Sequence, residues 1–120
     1  MTILPIVLEI HLVIAFLAVL CAVVFSWTPL GRRVVNAVVA LQFLVGLSAA
    51  GIMGASHVAL PPPIWGHLLI AVLALACYGM AMRFGKQAGG ATRALLFSIA
   101  GLVLIVLNVV MGWRMAMGMA

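Results

Sequence analysis

The stretch His11-Leu-Val-Ile-Ala-Phe-Leu-Ala-Val-Leu-Cys21 decides the fold. It lies inside an apolar run over 3–27 whose only charged side chain is Glu9. About 20 such residues, wound as an α-helix, cross the hydrocarbon core of a bilayer. Backbone amides in lipid must be satisfied internally, which leaves only helices and closed barrels. No strand-like alternation is present, so the run predicts a transmembrane helix. It lacks the basic n-region of a signal peptide and is too long for an h-region.

Three further apolar runs, over 34–55, 64–83 and 94–113, have the same character. With 68% hydrophobic and 6% charged residues and a mean hydropathy of +1.44, the 120 residues predict one all-α membrane domain, 1–120, rather than a soluble domain. The breaks are Thr28-Pro29-Leu30-Gly31, then Pro61-Pro62-Pro63, then Gly85 with Gly89-Gly90. Arg32 and Arg33 fall in the first loop and Arg83, Lys86 and Arg93 in or beside the third. The positive-inside rule then puts both termini outside, in the cytoplasmic (inner) membrane of a prokaryote. Basic residues confined to loops report topology, and no interleaved basic and aromatic surface suggests nucleic acid. Glu9 is the only acidic residue, which excludes chemistry that needs paired carboxylates.

The deciding stretch has a counterpart, His67-Leu-Leu-Ile-Ala-Val-Leu-Ala-Leu-Ala-Cys77, identical at seven of eleven positions. Leu41-Gln42-Phe-Leu-Val-Gly46 likewise matches Leu107-Asn108-Val-Val-Met-Gly112. The chain therefore reads as a four-helix bundle of two parallel helical-hairpin repeats, approximately 1–56 and 57–120, related by a pseudo-two-fold axis along the membrane normal. His11 and His67 should then face each other at one depth, about 6–12 Å below the outer surface.

Ionisable side chains in a membrane are costly and usually line the bundle interior or a functional site. Two opposed imidazoles suit the axial positions of a haem iron, which makes haem b the expected cofactor and electron transfer its simplest use. On the same helical faces lie Ile14, Ala15, Ala18 and Ala22, and Ile70, Ala71, Ala74 and Tyr78, where small side chains leave room for a porphyrin and Tyr78 is expected to border it. Arg114, beside Trp113 at the outer end, can pair with a propionate or anchor the helix at the interface. Gln42 and Asn108 are expected to bond between helices. Cys21 and Cys77 lie ten residues beyond the histidines, about 15 Å deeper, and read as packing residues.

Other readings stay open. Alanine stripes also let helices pack with nothing between them, the two histidines then being structural. His57 with Met111, Met115, Met117 and Met119 offers soft ligands, so copper handling is the metal alternative. A small accessory subunit of a respiratory complex, with a quinone or a protein of that complex as partner, would need no cofactor of its own. A small four-helix exporter would use Glu9 as its coupling acid, but no motif supports it.

The run Leu41-Gln42-Phe-Leu-Val-Gly46, followed by prolines and His67-Leu-Leu-Ile-Ala, resembles one half of haem A synthase. The resemblance implies a four-helix unit holding one haem between a histidine pair, with His11 and His67 in the ligand positions. It also implies an oxidoreductase acting on the methyl group of haem O. The family's first histidine follows a glutamate in an E-x-x-H pattern, which makes Glu9 the candidate catalytic residue. Here Glu9 precedes His11 by two positions, about 200° around the helix, and is expected to point away from the histidine face. The cysteine pair of the family's second loop is also missing. One four-helix unit would need a homodimer to hold separate cofactor and substrate haems.

Overall fold

The structure, a computed structural model, describes residues 3–57, 60 and 63–116. Four helices account for nearly all of them: α1 (Ile3–Phe25), α2 (Pro29–Ala55), α3 (Ile64–Gly85) and α4 (Ala91–Ala116). Each is long and apolar enough to cross a membrane. The ends differ by a few residues from the sequence expectation, most at the start of α2. Thr28-Pro29-Leu30-Gly31, read as a break, begins the helix: Thr28 caps it, its side chain accepting from Gly31 N at 3.0 Å, and Pro29 occupies the first turn. Proline is tolerated there because its missing N–H would have had no helical partner. Helix α4 starts at Ala91 because Gly89, at φ 73°, turns the chain, and Gly90 N reaches Gln87 O at 3.1 Å. A β-carbon on Gly90 would meet Phe84 O at 2.0 Å, so this turn admits only glycine.

The helices form a single layer-free bundle, packed in the ring order α1, α2, α3, α4, with α1/α2 and α3/α4 the closest pairs. Helices α1 and α3 are therefore diagonal to one another. The interior is built mainly of small residues. Ala18, Ala22, Val35, Val39, Ala74, Tyr78 and Ile105 form its buried cluster. The large side chains are outside: Leu20, Leu44, Leu69 and Leu96, one per helix, are each 60% exposed. Such a distribution inverts that of a water-soluble bundle, which presents its large apolar side chains to its own core.

A polar network ties the basic end together. Ser26, just past α1, donates from Oγ to Ala22 O and lies 2.8 Å from Tyr78 Oη on α3. The Nε–H of Arg32 on α2 is shared between Ser26 O and Ser98 Oγ on α4, each at 2.9 Å, and Ser98 passes its own proton to Ala94 O at 2.9 Å. All four helices thus meet in one chain of hydrogen bonds. Phe84 stacks on Phe97 at 5.5 Å between α3 and α4, with the Arg93 guanidinium 5.4 Å from the Phe84 ring.

Candidate functional site

At the opposite end the bundle is not filled. A cavity of about 400 Å³ opens among all four helices. Its floor is one residue from each, Ala18, Val39, Ala74 and Ile105, all members of the buried cluster. Small residues on the histidine faces, Ala15 and Ala71 among them, leave the space above that floor.

The two imidazoles enter this cavity from diagonal helices. Their ring centroids are 6.1 Å apart and their planes cross at 88°. Each ring is seated on a glycine of the neighbouring helix. A β-carbon on Gly46 would lie 3.0 Å from Cε1 of His11, and one on Gly112 would lie 3.1 Å from Cε1 of His67. Each also has an amide beside it, Gln42 against His11 and Asn108 against His67. These approaches do not complete hydrogen bonds through the side-chain acceptors. Among the described residues, Nδ1 of both histidines and the amide oxygens of Gln42 and Asn108 are buried without a partner. Unsatisfied polar atoms are expensive inside a bundle, and a cluster of them at the wall of a cavity points to a ligand that uses them.

The spacing can be compared with that of a shared metal. An imidazole nitrogen binds a metal at about 2 Å, and the ring centre lies about 1 Å behind it, so two rings on opposite sides of one ion stand about 6 Å apart. The observed separation fits that span. Among the described residues no group of three or more histidine, cysteine or acidic side chains is placed to hold a metal.

The other expected site residues are dispersed. Glu9 is exposed on α1 yet contributes to the cavity lining, contrary to its expected orientation away from it. The cavity spreads around the first turns of α1, where Leu8 also lines it, so a residue need not share the His11 face to reach it. Tyr78, expected to border a cofactor, is fully buried below the floor, its hydroxyl beside Ser26 and its ring against Gly101. It shares the His67 face but lies three turns deeper. Arg114 is exposed between Trp113 and Met115, both of which line the cavity. Trp113 also packs edge to face on Phe16 across α1 and α4, at 6.2 Å.

Of the soft ligands, Met115 reaches the cavity, and so does Met53, which the sequence reading passed over. His57 is exposed in the turn after α2 with a φ of 57°. Met111 approaches Gly66 on α3, and Met117 and Met119 lie outside the described residues. Cys21 and Cys77 are free and half-buried. In the sequence Gly46 and Gly112 are the last matched positions of the α2 and α4 patterns, and Gly46 also begins a small-residue stripe with Ala50 and Gly54; their shared distance from Gln42 and Asn108 was the available signal. Comparison of the chain with family models, with curated proteins and with solved structures finds no match.

Proposed function

We propose that this chain is a membrane-embedded b-type haem protein in which His11 and His67 would hold the haem iron. The observation that carries the reading is the 6.1 Å separation of the two imidazoles at the wall of a cavity among the four helices. Bilayer insertion is supported by four apolar helices with leucines outward on each. Because Arg32, Arg33 and Lys86 gather at one end, that end is the cytoplasmic one and the histidines lie toward the outer face. The matched surroundings of the rings, an amide and a glycine for each, support two related hairpins as the architecture.

Bound there, haem supplies one-electron exchange, which makes electron transfer the function this site serves. The protein's own residues do the rest. Gln42 and Asn108 stand beside their histidines, so a small rotation of either amide would let its oxygen accept the second imidazole N–H, fixing the tautomer and strengthening the other nitrogen as a ligand. Gly46 and Gly112 let α2 and α4 approach the rings closely enough to set their rotation. Arg114 stands between Trp113 and Met115 of the lining, and its guanidinium is of the kind that pairs with carboxylates.

Visible difference spectra of the purified protein, reduced minus oxidised, test the reading. A b-type α band is expected, and both His11→Ala and His67→Ala should remove or convert it. Colourless protein with no iron would overturn it. Copper handling is the second reading, favoured by Met53 and Met115 in the same lining, since thioethers with imidazoles select soft metal ions. Stoichiometric copper in colourless protein, lost on Met53→Leu, would establish that alternative.

A further inference from the structure

We infer that the cytoplasmic end carries a second binding site, for a phosphate oxyanion, centred on Arg32 and occupied by the headgroup of an anionic phospholipid. Arg32 is only 8% exposed. A buried guanidinium ordinarily has a carboxylate against it, because an uncompensated buried charge is strongly unfavourable. This chain has none to offer: its only acidic residue is Glu9, which lines the histidine cavity at the other end. The hydrogen bonds to Ser26 O and Ser98 Oγ both use Nε, and they fix the plane of the guanidinium without neutralising it.

Arg32 also lines a small pocket. Arg32, Arg33 and Lys86 line a cavity of about 40 Å³ together with Pro29 and Gly85. Gly85 belongs to the arrangement, since a β-carbon there would approach Nη1 of Arg32 to 3.3 Å. Arg32, Arg33 and Lys86 border one recess that is walled mostly by apolar atoms and is too small for a nucleotide. Planar guanidinium forks match phosphate oxygens, and basic recesses between helices on the cytoplasmic side are where anionic headgroups dock. The lipid source rests on the membrane reading above but not on the haem reading.

The test uses the full chain in neutral detergent, with native mass spectrometry after addition of phosphatidylglycerol, phosphatidylcholine or inorganic phosphate. Retention of phosphatidylglycerol over phosphatidylcholine is expected, weakened about fivefold for each of Arg33→Gln and Lys86→Gln, which remove exposed cations without touching the hydrogen-bonded network. Arg32→Gln should abolish the preference. Equal retention of both lipids by wild type, or a preference unchanged in Lys86→Gln and Arg33→Gln, overturns the site. Binding of inorganic phosphate with no lipid preference overturns the headgroup as its source. Release of the chain from membranes by alkaline carbonate would sink the membrane reading itself, whereas a carbonate-resistant chain without lipid preference sinks only this inference.

Discussion

Gly46 holds its backbone so close to His11 that a β-carbon would stand 3.0 Å from Cε1 of the imidazole, and Gly112 repeats the contact with His67 at 3.1 Å. Added methyl groups there must displace a ring by a few tenths of an ångström. Gly46→Ala and Gly112→Ala are each expected to lower stability by about 1–3 kcal/mol through overpacking. On the haem reading they also shift the midpoint potential or the α band while the cofactor is retained. Gly51→Ala on the same α2 helix meets nothing within 4 Å and provides the control, with stability unchanged or raised by up to about 1 kcal/mol. Thermal unfolding with parallel redox titration reads both effects; equal behaviour of Gly46→Ala and Gly51→Ala would refute the seating of the ring.

Tyr78 is wedged against Gly101, where a β-carbon would come within 2.7 Å of Cε2. Tyr78→Phe removes one hydroxyl from Ser26 and should cost about 1 kcal/mol. Gly101→Ala forces a fully buried ring to move and should cost more, about 1–3 kcal/mol. Neither change is expected to alter a spectrum arising at the histidines, since Tyr78 lies outside their cavity. Loss of that spectrum in folded Tyr78→Phe would show the tyrosine to be part of the site.

Arg32 should not be replaceable by lysine. Its two hydrogen bonds leave from Nε, within the guanidinium plane, and an ammonium on a flexible stem cannot reproduce that fixed fork. Arg32→Lys is expected to lower stability by about 1.5–3 kcal/mol. Arg33→Lys, at an exposed position next to it, should stay within about 0.5 kcal/mol. Unfolding midpoints of the two variants in the same detergent compare them directly, and matching values would contradict the network.

The start of α2 depends on one cap. Thr28→Ala leaves Gly31 N without its acceptor and should cost about 1 kcal/mol, whereas Thr28→Ser should keep most of it. Hydrogen exchange at the amides of the first α2 turn measures the effect locally, and faster exchange is expected in Thr28→Ala alone.

The two histidines were easier to single out in the sequence than the residues around them. His11 and His67 stood out because an ionisable side chain is conspicuous in an apolar run, and their common lining of one cavity follows from equal depth on two helices. Tyr78 was misplaced because helical periodicity gives direction around the axis but says nothing of what closes the space between depths; here Ala18, Val39, Ala74 and Ile105 do so. Arg32 read as a topology marker. Its burial depends on Ser26 and Ser98, far from it in the sequence and too ordinary to announce a network.

The sequence by itself determined the four helices, their approximate ends and the end of the bundle that is basic. Those properties are local: apolar length, glycine and proline breaks, and charge placement act within a few turns of each residue. Only the tertiary structure decided the 6.1 Å between two imidazoles, the glycine seat beneath each, and the burial of Arg32. These are distances between helices, set by how small residues let neighbouring backbones approach and rotate, and no single helix contains that information.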